Sequence, residues 1–418
     1  MIIGVNIFFD SKWALVILWQ LIQKRRPRMP SGRPVFAQIM DCIPSYEFTK
    51  LVERYHGNYR TRTFTCWDQF LCMSFAQLSA RESLRDIVAC LTAQPRKLYH
   101  LGIRGTVART NLARANATRD WRIYADLAAH LIATARPLYE GDDEFLAKLE
   151  GTVYALDSTT VDLCLPLFPW AQFRQQKAAV KLHTLLDLQG PIPTVIQITP
   201  GQVHDVNILD QLLPEPGAYY IMDRGYIDYE RLYTLHQAAA YFVIRAKKNL
   251  QFRRLYSRPV EKATGLRCDQ TIALTGVTAQ SDYPAYLRRV KVYDAEHQRH
   301  LVFLTNNFRV EAPTIATLYR YRWQVELFFK WIKQHLRIQS FYGTSTNAVK
   351  TQIWIAVCAY VVIAIIKKTY HIQASLYTIL QILSVTLFEK VSIKQLLTDV
   401  NDANERADLH NQLKLFNF

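Results

Sequence analysis

The chain has 418 residues, half of them hydrophobic, enough to bury a substantial core in one large domain or two to three smaller ones. Its 51 Lys and Arg against 35 Asp and Glu leave a net charge of +16 and a pI near 9.5, a balance that suits a polyanionic partner, nucleic acid first. Seven dispersed cysteines without a C-x-x-C pair do not read as a zinc site and suit reduced thiols in a cytoplasmic protein, which its basic charge would make nucleoid-associated.

The first 28 residues have Asp10 and Lys12 inside their apolar part, and no basic start or small-residue cleavage site. They read as an extension ahead of Met29 rather than a signal peptide. Residues 29–145 form an all-helical region. "FAQIMDCI", "WDQFLCMSFAQLS", "SLRDIVACLTA" and "DWRIYADLAAHLIATARPLY" carry apolar residues at three- and four-residue spacing, with Ser79 and Ser83 as caps. Between them "RYHGNYRTRT" and "QPRKLYHLGIRGTVARTNLARANATRD" read as Arg-rich loops suited to phosphate contacts.

From Gly151 the pattern turns to strands. "TVYALDSTTVDL" is one strand; "VKLHTLLDL" and "IPTVIQITP" make a hairpin around "QGP". "HDVNILDQLL" reads as a helix, "GAYYIMDRGY" as a buried strand ending in a Gly turn, "DYERLYTLHQAAA" as a helix and "YFVIRAK" as a strand. This order predicts an α/β fold with a mixed sheet over 146–250 and 306–370, the "YYIMD" strand parallel to and beside "VYALD". Residues 251–305 interrupt it with "TIALTG", "AYLRRVKVYDAEH" and "RHLVFLTNN", a β-rich insertion. The apolar run 353–366 falls short of the roughly 20 residues a bilayer span needs and reads as a buried helix. Residues 371–418 form a helical tail.

Two aspartates, Asp157 and Asp223, fall at the C-terminal ends of strands expected to be neighbours, where α/β sheets bind ligands. Asp162 is expected past the end of its strand; Asp187, Asp205 and Asp228 read as turn or cap residues, with Asp205 near enough to line the site. The segment "YRYRWQVELFFKWIKQHLRI", 319–338, reads as one helix, hydrophobic over most of its circumference. At about 100° per residue, Tyr319, Arg322, Glu326, Lys330, Lys333 and Arg337 share one narrow stripe. An i,i+4 network of Arg322, Glu326 and Lys330 explains part of that stripe but not Tyr319 or Lys333. Three carboxylates, Asp157, Asp223 and Glu326, can instead hold two hard divalent ions for in-line phosphoryl transfer, with the basic residues on DNA phosphates.

Tyr319, Arg322, Glu326 and Lys333 match the Y-x2-R-x3-E-x6-K signature of the IS-four insertion-sequence transposases. "ALDSTTVDLCLPLFPWAQFR", "KLHTLLDL", "GQVHDVNILD" and "IMDRGY…YFVIRAK" resemble that family's two aspartate blocks in order and spacing, and "FAQIMDCIPSYEFTKLV" resembles its N-terminal domain. The resemblance covers nearly all of residues 30–370. It implies a ribonuclease-H-like core with the insertion before the Glu helix, and an N-terminal domain that binds DNA ends. It implies Asp157, Asp223 and Glu326 as catalytic ligands of Mg²⁺, with Mn²⁺ able to substitute, and Tyr319, Arg322 and Lys333 as DNA-phosphate contacts. Double-stranded DNA, as inverted-repeat ends and target, is the implied partner, with a homodimer in the active complex and no membrane. Relatives cut through a hairpin with a base flipped onto an aromatic; Trp323 and Tyr226 are the candidates here. The alternative is a metal-dependent nuclease of the same fold without strand transfer, since a plain nuclease needs the carboxylates but not the Tyr-Arg-Lys stripe.

Overall fold

The computed structural model describes residues 32–104, 107–335 and 341–398. The 1–28 extension, Leu336, Arg337, Ile338 and the end of the tail lie outside the described residues. At the N-terminal side, helices α1 (Val35–Met40), α2 (Ser45–Arg54), α3 (Cys66–Leu78), α4 (Leu84–Thr92), α5 (Arg109–Thr118) and α6 (Arg122–Ala135) pack together. Thr65 and Asp68 form a reciprocal capping box at the start of α3, and Ser83 caps α4. Helix α5 lies inside a segment expected to be a loop. Its apolar contribution is slight, Leu112 and Ala115, and a buried polar contact anchors it: Gln69 Nε2 donates to Asn116 Oδ1 at 2.8 Å.

Among the described residues the sheet has ten strands: β1 (Val153–Leu163), β2 (Gln172–Arg174), β3 (Lys177–Asp187), β4 (Ile192–Pro200), β5 (Tyr219–Met222), β6 (Tyr241–Arg245), β7 (Phe252–Arg258), β8 (Leu266–Leu274), β9 (Leu287–Asp294) and β10 (Arg299–Thr305). Across it run β3-β1-β5-β6-β10-β9-β8-β7, with β2 and β4 both on β3. The β3–β4 hairpin and the parallel β1/β5 pair form as the sequence predicts. All four residues of β5 are buried, as a strand covered on both faces must be. The strands of 251–305 are not a separate sheet: β10 pairs antiparallel with β6, so they extend the main sheet. Strand β7, Arg-rich and exposed, carries no hydrophobic alternation by which the sequence would disclose it.

Three expectations need correction. Strand β1 does not end near Asp157; its pairing with β3 continues to Leu163, so Asp162 is within the strand, opposite Ala179. "HDVNILDQLL" holds a 3-10 segment, Asp205–Gln211, rather than an α-helix. The 319–338 segment is not one regular helix: α8 (Ala312–Tyr321) and α9 (Trp323–Lys330) meet at Arg322, and Trp331–His335 widens to a π-helix. At the joint the backbone tightens to three-residue hydrogen bonds, Arg322 N to Tyr319 O and Val325 N to Arg322 O.

Residues 353–366 lie in α10 (Thr346–Thr369), followed by α11 (Leu376–Thr386). Helix α10 is long and apolar enough to cross a membrane by composition, yet most of it is buried in the protein. It packs on α3, α5 and α6, and one continuous hydrophobic core joins these helices to one face of the sheet. A second core, with α7 (Tyr229–Gln237), covers the other face.

Candidate active site

The site begins with register. Parallel pairing of Val153 with Tyr219 through Leu156 with Met222 makes Asp157 and Asp223 the next residues on adjacent strands. Close backbone approach sets up this pairing. Gly151, at φ +107°, lies so near Gly217 that a Cβ there would meet the Gly217 carbonyl oxygen at 2.2 Å. Asp223 starts the 3-10 turn Arg224–Tyr226 without spending its carboxylate as a cap.

Helix α9 crosses above β1. Val325, Phe328 and Ile332 are buried, and Phe328 and Trp331 meet the Tyr360 ring of α10 edge-on. That docking turns Glu326 toward Asp157. Asp157, Ser158, Thr159, Glu326, Phe329, Lys330 and Lys333 line a cleft of about 370 Å³. Lys330, left outside the signature by sequence reasoning, therefore faces the same space as Lys333.

Within the site Arg322 Nη1 donates to Asp157 Oδ2 at 2.5 Å and Nη2 donates to Glu326 Oε1 at 2.6 Å. The Tyr319 hydroxyl donates to Asp223 Oδ1 at 3.2 Å, and its ring lies under the Arg322 guanidinium. Lys333 Nζ donates to the Thr160 carbonyl at 2.5 Å. So the structure brings together all six residues singled out in the sequence, each carboxylate bonded to a member of the Tyr-Arg pair.

Burial pushes the Asp157 carboxyl up to about 6; Arg322 and the Ser158 amide oppose this, and Glu326 and Asp223 add to it. Burial alone would depress Arg322, but Asp157, Tyr319 and Glu326 outweigh it and hold the guanidinium charged. Burial lowers Lys333, with Asp162 opposing. The carboxylates thus carry more negative charge than Arg322 satisfies. An all-oxygen donor set with surplus negative charge fits a hard divalent cation. Their oxygens are nevertheless spread. Among the described residues the three-ligand group drawn within 4.8 Å is Asp294, Glu296 and His297, at the β9–β10 turn, where Arg299 and His297 already pair with Asp294.

Of the two aromatics named for base stacking, Trp323 is 59% exposed and Tyr226 only 2%, so Tyr226 offers no face to a base. Asp228 caps α7, and Asp187 binds Arg136 and the Gln189 amide, as turn and cap residues do. Sequence reasoning missed Lys181 and His183. They lie on β3 on the face of the sheet opposite Asp157, where both approach Asp205, and an alternating hydrophobic strand gives no sign of that cluster.

A buried parallel strand pair carrying two aspartates thus meets a helix carrying a glutamate, an α/β arrangement with acids at the strand ends. The family model described as "Transposase DDE domain" matches residues 148–362, just over half the chain, and a domain of unknown function, DUF4372, matches 31–104. A protein of Sinorhizobium fredii named as a transposase, y4zB, is 32% identical over 286 residues, 68% of this chain and 78% of that one. One named as a transposase for the insertion sequence element IS5377 of Geobacillus stearothermophilus is 32% identical over 210 residues, covering 50% and 55%. Another, for IS4SA of Synechocystis, is 25% identical over 308 residues, covering 70% and 82%. A piggyBac transposase synaptic complex with hairpin DNA is a looser likeness, with TM-score 0.40 and 10% identity over 88% of this chain and 82% of that one. The chain belongs to the transposase DDE domain family, as an insertion-sequence transposase of the IS-four type. It is thus a DNA-cutting and DNA-joining enzyme whose class depends on a divalent metal.

Proposed function

We propose that this transposase moves its insertion sequence by cut and paste. It binds the terminal inverted repeats, cleaves DNA at the element's ends and joins the freed 3′-hydroxyls to target DNA. The observation that carries the reading is the convergence of Asp157 and Glu326 on Arg322, with Asp223 beside Asp157 in register and held by Tyr319. Strands β4-β3-β1-β5-β6, the first three antiparallel and the last two joining in parallel, support a ribonuclease-H-like core spanning 146–250 and 306–370, with 251–305 inserted before the Glu helix.

Asp157, Asp223 and Glu326 would hold the metal, Mg²⁺ with Mn²⁺ able to substitute. When bound, a pair of such ions activates the attacking hydroxyl and stabilises the leaving oxygen of an in-line displacement. The protein's own groups do the rest. Arg322, Tyr319 and Lys333 take the phosphates of the transposon end, Arg322 as a two-pronged donor and Lys333 as a point charge. Phe328, Trp331 and Ile332 keep the Glu326 helix rigid against α10 and exclude water beneath it. Helices of 29–145, rich in Arg, bind the inverted repeat, and a homodimer brings two ends together. Double-stranded DNA is the substrate throughout.

The test uses DNA carrying the element's own ends. Asp157→Asn, Asp223→Asn and Glu326→Gln each abolish Mg²⁺-dependent end cleavage and retain end binding; retained cleavage rejects that residue as a ligand. Joining of a pre-cleaved 3′-hydroxyl end to target DNA separates a transposase from a nuclease of the same fold.

A further inference from the structure

Strand β1 alternates its side chains, so Asp157 faces α9 while Ser158 faces the opposite side of the sheet. There Ser158 Oγ donates to Asp205 Oδ1 at 2.7 Å. Asp205 is the first residue of the 3-10 segment in the β4–β5 connection. The same Asp205 oxygen accepts from Lys181 Nζ at 3.1 Å, and Lys181 also reaches the Val203 carbonyl at 2.8 Å. His183, directly opposite Ser158 on β3 and fully buried, has its Nδ1 3.8 Å from Asp205 and its Nε2 on the Thr199 hydroxyl. One carboxylate therefore fastens a loop to two strands, at the residue next to Asp157.

That residue also sets the Asp157 rotamer. The Ser158 backbone amide donates to Asp157 Oδ1 at 2.8 Å, which leaves Oδ2 turned into the cleft toward Arg322. The buried Tyr226 hydroxyl belongs to the same cluster: after burial, Asp157 and Asp205 both raise its pKa. Tyr226 lies three residues past Asp223, so the cluster touches both aspartate-bearing strand ends.

We infer that Asp205 is a positioning residue for metal binding: through Ser158 it fixes the Asp157 carboxylate in the orientation that receives the cation, with Lys181 as its counter-charge. Asp205 acts from the far face of the sheet, where its Oδ1 is held by Ser158 and Lys181. Outer groups of this kind orient metal ligands, and their loss costs roughly 10- to 100-fold in metal affinity.

The inference rests on Asp157 being a metal ligand, and the experiment separates the two. Mn²⁺ binding to the full-length, DNA-free protein is titrated by electron paramagnetic resonance for the wild type and for Asp157→Asn, Asp205→Asn, Asp205→Glu and Ser158→Ala. Asp157→Asn loses the site; if it binds as the wild type does, the ligand reading itself fails. Given that control, Asp205→Asn weakens Mn²⁺ roughly tenfold or more, and Asp205→Glu recovers part of the loss. Ser158→Ala removes the link without changing any charge and weakens Mn²⁺ in the same direction, which a purely electrostatic effect of unpaired Lys181 does not reproduce. End-DNA binding measured without metal stays at the wild-type level in both. Wild-type Mn²⁺ affinity in Ser158→Ala overturns the inference, and that variant decides the matter if Asp205→Asn fails to fold.

Discussion

Arg322 bridges Asp157 at the end of the β1/β5 pairing to Glu326 on α9, with contacts of 2.5 and 2.6 Å. Without DNA, this guanidinium supplies positive charge to both carboxylates, and on the proposed ligand roles it would compete with a cation for the same oxygens. On the proposed phosphate role of Arg322, a DNA phosphate that draws the guanidinium away would free both acids. Metal binding and DNA-end binding would then be coupled, each strengthening the other by the same factor. At pH 8, Arg322→Ala is expected to raise the Mn²⁺ affinity of the DNA-free protein by about tenfold, the scale of removing one close like charge from a partly buried site. Addition of an end duplex should tighten Mn²⁺ on the wild type and leave the variant nearly unchanged. Weaker Mn²⁺ binding in the DNA-free variant would show that Arg322 organises the acids rather than competing for them.

The second prediction concerns Asp157 and pH. Its pKa in the fold is about 6, against about 3.9 for an unperturbed aspartate. Below about pH 4 the carboxyl is protonated in both folded and unfolded chains and has no effect on their balance. Between about 4 and 6 the folded state holds a proton that the unfolded state has lost, so this group costs stability as pH rises. At 1.4 kcal/mol per unit the cost is on the order of 2–3 kcal/mol at neutral pH. In metal-free buffer Asp157→Asn should therefore match the wild-type Tm near pH 4 and exceed it by several degrees at pH 7.5. A Tm difference that does not change with pH argues that Asp157 is not buried against its neighbours as described.

How much of this was legible beforehand follows from which forces are local. The Asp157–Asp223 pairing could be read because hydrophobic runs and a helical return dictate a parallel neighbour. Glu326 could be read because a lone acid on an otherwise buried helix stands out by period. The break at Arg322 and the π-turn at Trp331–His335 could not, because tertiary contacts with Asp157 and Tyr360 reshape a sequence that favours a regular helix locally. Helix α5 was missed because Asn116 holds it through a polar bond to Gln69, which leaves no apolar period to detect. Asp205 read as a cap residue, and only the fold shows that its carboxylate is spent on Ser158 and Lys181.

A third prediction tests the register. Gly151 occupies a left-handed backbone region and passes so close to the Gly217 carbonyl that no side chain fits. Gly151→Ala combines strain of about 1–3 kcal/mol with a backbone clash that has no flexible group to absorb it. The strand ends must part, and with them Asp157 and Asp223. The variant should lose several degrees in Tm and at least tenfold in Mn²⁺ affinity. Gly217→Ala, which meets nothing within 4 Å, bears only its own positive-φ strain, so it should lose stability while keeping most of its Mn²⁺ affinity. Equal loss of Mn²⁺ binding in both would assign the effect to general destabilisation.

The last prediction separates two roles for Lys333. In the DNA-free protein its ammonium rests on the Thr160 carbonyl beside the cleft, half-buried and with Asp162 nearby. If that contact were its purpose, Lys333→Ala would lower Tm and leave DNA affinity to follow from stability. A phosphate contact behaves otherwise. Each neutralised phosphate releases counterions, so log affinity falls with log salt by about 0.9 per contact. Lys333→Ala should weaken binding to an end duplex and flatten the salt slope by about one such unit, with Tm nearly unchanged. Lys330→Ala, on the rim of the same cleft, should flatten it by less, because that side chain is exposed and free to adjust. Filter binding between 50 and 200 mM salt reads the slopes over a range in which several phosphate contacts change affinity by roughly a thousandfold. An unchanged slope in Lys333→Ala assigns the residue to the fold and leaves phosphate contact at the cleft to Arg322 and Tyr319.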